Sequence, residues 1–397
     1  MTTQDMPLTI AETLPADADR ALLVGRVWLP EVKGPAVVTV RDGALIDITA
    51  TAPTLAGLLA ADDPAAVVRA ATGPSLGPLQ AWLDDTVRHG ADPAHRHLLA
   101  PTDLQPIKAA GVTFADSMVE RVIEEQARGD AARADAVRRE VVAAIGTDLG
   151  AIKPGSAQAA ELKRLLIERK LWSQYLEVGI GPDAEIFTKA PPMASVGTGV
   201  AIGLHPGSDW NNPEPEVVLA VSPQGRIVGA ALGNDVNLRD FEGRSALLLG
   251  KAKDNNGSSA IGPSVRLFDT HFGLDDVRQA RISLTVRGTD GFVLEGSSAM
   301  ARISRDPLEL VAHAMGDHHQ YPDGVMLYCG TLFAPVQDRD APGAGFTHHE
   351  DDIVRIASPA LGTLANRIGR SDRIPPWQFG LLALLTNLAQ RGLLAAR

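Results

Sequence analysis

The chain holds one cysteine, Cys329, in 397 residues. An internal disulfide is therefore excluded, and Cys329, which follows the apolar run 325–328, reads as a core filler rather than a nucleophile. No apolar run approaches the length of a membrane span, and residues 1–19 are polar and acidic, unlike a signal peptide. Positive charge is the scarcer sign: 37 Lys and Arg stand against 48 Asp and Glu, for a formal net charge of -11. That balance argues against nucleic acid or an anionic membrane as main partner and leaves a cytoplasmic enzyme as the expectation. There is no βαβ alternation, no internal repeat and no Gly-rich dinucleotide loop, so no nicotinamide or organic cofactor is expected. What is present is an ordinary globular composition, 45% hydrophobic and 21% charged. Its length suits two domains, or one large domain with an appendage.

Residues 21–29, 36–40 and 44–48 read as strands, the last two joined by the turn Arg41-Asp42-Gly43. An Ala-rich helical stretch (54–71) and a polar linker rich in Asp and His (84–97) complete a small β-rich N-terminal domain over 1–97. The second domain spans 98–397. Between about 119 and 172 the pattern turns helical, with helices at 121–145 and 157–172 broken at Lys153-Pro154-Gly155. Glu120, Arg121, Glu124, Glu125, Arg138, Arg139 and Glu140 then form a solvated outer face, on a helical insertion of the kind that closes over a site as a lid. Beyond 175 short strands return. Asp306, Pro307 and Glu309 mark the N-cap, first position and N3 of a later helix whose inner face carries Leu308, Leu310 and Val311. The expected class is α+β, mixed and largely antiparallel.

The densest chemistry lies between Glu214 and Asp235. Glu214 and Glu216 alternate along a strand and so share a face. Ser222-Pro223-Gln224-Gly225 reads as a turn and 226–232 as the returning strand. A turn centred between Pro223 and Gln224 sets Glu214 opposite Gly233 and Glu216 opposite Ala231, with Asp235 on the same face. Three carboxylates that close repel one another unless a cation holds them. An all-oxygen set suits Mg²⁺ or Mn²⁺ rather than Zn²⁺. A Glu-x-Glu pair also arises by chance among 48 acids, and a bulge in either strand would spoil the alignment. His318-His319 and His348-His349 fall in apparent loops where adjacent side chains diverge, so both pairs read as surface. His205, nine residues before Glu214, is the histidine kept as a candidate substrate contact.

With these residues in place, the chain resembles the fumarylacetoacetate hydrolase superfamily from about Leu98 to Arg397. Gly111-Val-Thr-Phe-Ala-Asp-Ser-Met-Val-Glu120 is similar to that family's opening segment, and Phe187-Thr-Lys-Ala-Pro191 to its "FLKPP" segment. Glu214-Pro-Glu216 and Asn234-Asp-Val-Asn-Leu-Arg-Asp240 resemble the segments that carry the three metal ligands. Lys253, ten residues before Pro263, falls at the place of the family's active-site lysine, and Gly330-Thr331 at the loop that receives the substrate's carboxylate. The resemblance implies a mixed β-roll with a metal site at its mouth, commonly dimeric, here with a helical lid and the N-terminal domain added. Mg²⁺ or Mn²⁺ on Glu214, Glu216 and Asp235 is the implied cofactor.

Departures from the pattern discriminate among activities. Ser117 stands where the hydrolases carry a lid histidine, and none of the ten histidines lies between His97 and His205. Water activation has then lost its usual base. The length of the chain and the segments around 173–191, 211–219 and 232–263 look most like the superfamily's sugar-acid dehydratases. Those act on 2-keto-3-deoxy-pentonates and release 2,5-dioxopentanoate in oxidative pentose catabolism. The implied chemistry is removal of a C3 proton to a metal-stabilised enolate, then loss of the C4 hydroxyl. Lys253 is the candidate base, with an oxygen-holding role as the alternative. Lys251 would share its face if the stretch is extended. Glu120 or Glu124 on the lid would protonate the leaving hydroxyl, and Thr331 with Gly330 would grip the carboxylate. Arg239 contacts substrate or, more in keeping with its neighbour, pairs with Asp240. Acylpyruvate hydrolysis or oxaloacetate decarboxylation at the same site is the rival, and a non-enzymatic sugar-acid-binding scaffold the remote one.

Overall fold

Two large β-sheets packed face to face organise the computed structural model, which describes residues 6–145, 152–168, 172–333, 335–342 and 345–394, side chains at 116, 135 and 140–145 excepted. After a short helix, α1 (Ile10–Thr13), come β1 (Leu23–Leu29), β2 (Gly34–Arg41) and β3 (Ala44–Asp47). The expected single helix at 54–71 is two, α2 (Leu55–Leu59) and α3 (Pro64–Ala70). Asp63 caps the second by accepting from Ala66 N–H, and Pro64 cannot continue the first. After β4 (Ser75–Pro78), α4 (Leu79–His89) takes the place of much of the expected linker, burying Leu79, Trp82, Leu83 and Thr86. Strands β5 (His97–Leu99) and β6 (Ile107–Gly111) lead into the helical insertion: α5 (Ala115–Ala127), α6 (Ala131–Ile145), α7 (Ala157–Glu168) and α8 (Gln174–Ile180). The end of the helix expected at 157–172, and the Glu140 side chain, lie outside the described residues.

The second half begins with β7 (Glu185–Ala190), β8 (Ala201–Leu204) and β9 (Asn211–Asn212), followed by the hairpin β10 (Pro215–Val221) and β11 (Ile227–Asp235). Next come β12 (Asn237–Leu238), α9 (Arg239–Glu242), α10 (Leu249–Lys253), β13 (Ser259–Leu267) and α11 (Leu274–Gln279). Then follow β14 (Arg281–Arg287), β15 (Val293–Ala299), α12 (Pro307–Ala314), β16 (Val325–Tyr328), β17 (Ile353–Ser358), β18 (Gly362–Arg370) and α13 (Leu381–Gln390). One sheet runs β4-β3-β2-β1-β13-β11-β10-β16-β6-β7 with β5 beside β1; the other runs β15-β14-β17-β18-β8. Only β16–β6 and β18–β8 pair in parallel among the described strands, so the α+β, largely antiparallel expectation holds. Leu23 and Val24 of β1 pair with Arg266 and Val265 of β13, so the N-terminal strands extend the same sheet that carries the carboxylates. Val217, Leu219 and Leu232 from one sheet meet Ile282, Leu284 and Ile356 from the other in the central core. Each such burial is worth about 1.5–3 kcal/mol. Among the described residues no helix is long and apolar enough to cross a membrane. Cys329 is fully buried in that core, as expected.

The hairpin register differs from expectation in an instructive way. Glu216 pairs with Gly233 and Pro215 with Asn234, two residues from the expected pairing, while Asp235 N–H donates to Glu214 O at 3.1 Å. The turn closes as Ser222 N–H to Arg226 O, one residue longer than expected, and a bulge at Ala220/Val221 adds a second offset. Two single-residue offsets restore parity, so the three carboxylates still share a face. Gly233 is required here. A Cβ on it would lie 2.3 Å from Tyr328 Cε1 and 2.5 Å from Val218 Cγ2.

Elsewhere the helical insertion has its own core, built from Met118, Val122, Ile123, Leu176 and Ile180. It seats on α9 through two glycines. Gly129, at φ +70°, would set a Cβ 2.5 Å from Asp240 O, and Gly243 would set one 2.9 Å from Gly129 Cα. The expected solvated face of α5 is not solvated: Arg121 and Glu124 are buried. On α12 Leu310 and Val311 are buried as expected, but Leu308 is 51% exposed. His348, expected at the surface, is buried with Nδ1 3.3 Å from Asp352 Oδ2, whereas its neighbour His349 is partly exposed.

Gly233→Ala should cost about 1–3 kcal/mol of stability through overpacking against the Tyr328 ring. Urea denaturation checks this, and an unchanged midpoint would contradict the packing.

Candidate metal centre

Strand alternation puts Glu214 and Glu216 on one face, and the returning β11 adds Asp235 at its end. All three are buried, and one oxygen from each lies within 4.8 Å of the others. Lys253, on the last turn of α10, places Nζ 2.5 Å from Glu214 Oε2 and 3.2 Å from Asp235 Oδ2. Lys189, in β7, places Nζ 2.8 Å from Asp235 Oδ1 and donates to Val236 O (3.0 Å) and Lys253 O (2.5 Å). Gly330 N–H donates to Glu216 Oε2 at 2.6 Å, and the Thr331 hydroxyl to Oε1 at 3.3 Å. Gly330 has φ +99°, and a Cβ there would meet Thr113 Oγ1 at 2.0 Å, so glycine alone suits the position.

Glu214, Glu216, Asp235, Lys253 and Thr331 line a small cavity of about 20 Å³, together with Ser117, Arg121, Glu185, Phe187 and Glu242. Arg121 reaches in from α5 of the helical insertion. Its guanidinium bonds Glu214 Oε1 and lies 2.7 Å from Glu124 and 3.2 Å from Glu242. Burial pushes the Glu214 carboxyl up, but Arg121 and Lys253 outweigh it and hold the group below its ordinary range. Glu216 goes the other way: burial, then the charges of Asp235 and Glu214, push it well above that range. Burial pulls Lys253 down, yet Asp235 and Glu214 outweigh it and keep the ammonium protonated. Glu185 is pushed up to about 7, chiefly by burial and then by the charge of Glu242.

A divalent ion fits this set. Glu124, Glu185, Glu214, Glu216, Asp235 and Glu242 stand against Arg121, Lys189, Lys253 and Arg239. With every carboxyl ionised, the cluster lacks two positive charges. The donors are all oxygen, which suits a hard cation. A second acidic group, Asp290, Asp340 and His349, is solvent-facing, and Asp290 is already bonded by Arg339 at 3.0 Å.

The remaining candidates fall elsewhere. Glu120 is bonded through both oxygens to Arg138 (3.1 and 2.8 Å) and does not line the cavity. Glu124 sits behind Arg121, shared with Arg239 Nε at 3.1 Å. Arg239 is buried and also donates to Asn212 Oδ1 at 2.9 Å, so its ion-pair partner is Glu124 rather than Asp240. Asp240 instead accepts from the Ser208 hydroxyl and the Asp209 N–H. His205 is edge-on to Phe241 and away from the cavity. Lys251 lies on a helix rather than a strand, over the Phe241 ring. Sequence reasoning missed Arg121, Lys189, Glu185 and Glu242. Lys189 lies inside the Phe187–Pro191 segment, which could have marked it. Nothing local marks Glu185, whose carboxyl packs over Gly111.

This two-sheet frame with a carboxylate-lined mouth is the fumarylacetoacetate hydrolase fold. A structure of a fumarylacetoacetate hydrolase from Exiguobacterium antarcticum aligns over 88% of this chain and 100% of that one, with TM-score 0.52 and 14% identity. More particularly, the chain resembles sugar-acid dehydratases. It is 28% identical over 273 residues, 69% of its length and 75% of the relative's, to a Haloferax volcanii protein named a probable 2-keto-3-deoxyxylonate dehydratase. It is 31% identical over 193 residues, 48% of its length and 60% of the relative's, to the 2-dehydro-3-deoxy-D-arabinonate dehydratase of Saccharolobus solfataricus. A 2-keto-3-deoxy-D-arabinonate dehydratase solved with magnesium and 2,5-dioxopentanoate aligns over 88% of this chain and 99% of that one, with TM-score 0.59 and 20% identity. At such identities the structural likeness establishes the fold. No family model matches the chain.

A carboxyl whose folded pKa is raised costs stability that grows as pH climbs from the unfolded value, 4.5, to the folded one, about 7, and is constant above. In metal-free protein the stability advantage of Glu185→Gln over wild type should therefore rise across that window and then level. Denaturation in EDTA at several pH values measures it; an advantage flat with pH would contradict the upward shift of the Glu185 carboxyl.

Proposed function

We propose that the protein is a metal-dependent hydro-lyase that converts a 2-keto-3-deoxy-pentonate, 2-dehydro-3-deoxy-D-arabinonate or its C4 epimer, to 2,5-dioxopentanoate. The observation that carries this reading is the buried set of Glu214, Glu216 and Asp235, within a charge cluster two positive charges short when every carboxyl is ionised, opening on a cavity with Lys253 and Glu185 at its wall. The likeness to the two named dehydratases, and the fold shared with a 2-keto-3-deoxy-D-arabinonate dehydratase solved with magnesium and 2,5-dioxopentanoate, support the substrate class.

Glu214, Glu216 and Asp235 would hold Mg²⁺, with Mn²⁺ the alternative. When bound, such a cation polarises the keto group of a 2-oxo acid and acidifies its C3 protons. The chain's own residues then handle protons. Glu185, with a pKa near neutrality, is matched to take the C3 proton. Lys253, held as an ammonium, is matched to give a proton to the departing C4 hydroxyl rather than to act as the base expected from sequence. Water leaves and a C3–C4 double bond forms; proton transfer from C5 to C3 then gives the C4–C5 enol, whose hydroxyl proton moves to C4 to leave the terminal aldehyde. The balance is one water lost and no oxidant used. Neither Glu120 nor Glu124 lines the cavity, so the acid role passes from both to Lys253. Thr331 and the Gly330 N–H, which here donate to Glu216, would receive the substrate's carboxylate if a bound cation drew Glu216 away. Phe187, Ala110 and Val112 give the cavity an apolar wall.

Ser117 lines this cavity, its hydroxyl spent on Phe114 O at 2.9 Å, where the hydrolases of the fold carry histidine. That favours elimination over acylpyruvate hydrolysis. A homodimer or dimer of dimers forms part of this reading, and sedimentation velocity measures it.

A steady-state assay decides the function. Purified protein with Mg²⁺ should release 2,5-dioxopentanoate from one pentonate epimer and lose that activity in EDTA. Turnover of acetylpyruvate or oxaloacetate alone would overturn it. Glu216→Gln should abolish turnover and weaken Mg²⁺ binding. Lys253→Met and Glu185→Gln should each lower kcat by about 10²–10⁴-fold with Mg²⁺ still bound; near-wild-type kcat in either would remove that residue from proton transfer.

A further inference from the structure

Both oxygens of Glu214 are already taken. Oε1 accepts from Arg121 on lid helix α5, and Oε2 accepts from Lys253 at 2.5 Å. A cation ligated by Glu214 therefore meets one of two existing positive charges, and the cheaper to move will yield. Lys253 is fixed. Its ammonium also holds Asp235, and its carbonyl accepts from Lys189 at 2.5 Å and Ser258 at 2.8 Å. Arg121 has alternatives: the other nitrogen of its fork is shared between Glu124 and Glu242, neither of which is in the metal set. It can release Glu214 and remain paired.

We infer that Arg121 is a latch between the lid and the metal centre, holding α5 down on Glu214 until a divalent cation takes that carboxylate. Release frees one guanidinium nitrogen beside the cavity that Arg121 lines. There it becomes a lid-borne donor for an anionic substrate. Cation and lid are then coupled with one sign: loading the metal loosens α5 and admits substrate, so metal precedes substrate. By reciprocity, Arg121 lowers the affinity of the site for the cation as much as the cation weakens the latch. This inference rests on the metal-site reading above.

Arg121 is a positioning residue in this role, and its test needs no turnover. Amide hydrogen exchange over residues 115–127 is followed in wild type with and without saturating Mg²⁺, and Mg²⁺ affinity is measured by calorimetry. A bound ligand ordinarily slows exchange. The latch predicts the opposite here, several-fold faster exchange in α5 on adding Mg²⁺. Arg121→Gln should exchange fast without Mg²⁺, show no further change with it, and bind Mg²⁺ roughly ten-fold more tightly. Exchange in wild-type α5 that is unchanged or slowed by bound Mg²⁺ would overturn the latch and leave the metal site standing, as would an unchanged Kd in the variant. If Arg121→Gln does not fold, the wild-type exchange decides alone. Absence of Mg²⁺ binding in wild type would remove the metal reading and the latch with it.

Discussion

Glu214, Glu216 and Asp235 bring three carboxyl groups within 4.8 Å of one another under cover. That arrangement costs free energy unless positive charge is supplied. Much of the local structure can be understood as its supply. Lys253 and Lys189 come from α10 and β7 to hold Glu214 and Asp235, and Arg121 comes from the lid to hold Glu214. Among the described residues, Glu216 receives two hydrogen-bond donors and no ion pair. Burial, then the charges of Asp235 and Glu214, push it away from ionisation. Counted with Glu124, Glu185, Glu242 and Arg239 around them, and with every carboxyl ionised, the cluster is two positive charges short, the charge of one divalent cation.

The fold serves this site by making its parts rigid where they must be and separable where they must move. The carboxylates stand on β10 and β11, inside a sheet flanked by β13 and β16. The Arg121 side chain stands on an insertion with its own apolar core, seated on α9 by close contact at Gly129 and Gly243. An element that packs mainly on itself can shift without unfolding the sheet below. The charge that is easiest to withdraw from the carboxylates is thus carried by the lid.

Local signals in the sequence carried the three clustered carboxylates and missed half of the cationic frame. Strand alternation has a period of two, so a register error of two residues left Glu214, Glu216 and Asp235 on one face even though turn and bulge were both misjudged. Arg121 and Glu124 failed for the opposite reason. A charged helical face usually meets water, and only the distant Glu214, Glu242 and Arg239 make burial tolerable here. Glu185 is defined by its approach to Gly111 and the cavity, 74 positions away in sequence, which no local pattern encodes. The polar linker expected at 84–97 illustrates the same limit: Trp82, Leu83 and Thr86 are buried by tertiary packing, and that carries α4 on to His89. Lys189 was within reach, since the segment that holds it had already been singled out.

The central claim is that one divalent cation completes this buried charge set. Anomalous diffraction from crystals soaked in Mn²⁺ tests it most directly, because it locates the ion without reference to turnover. A single strong peak between the carboxylates of Glu214, Glu216 and Asp235 is the predicted result. No peak there, or a peak confined to the solvent-facing Asp290, Asp340 and His349, would contradict it.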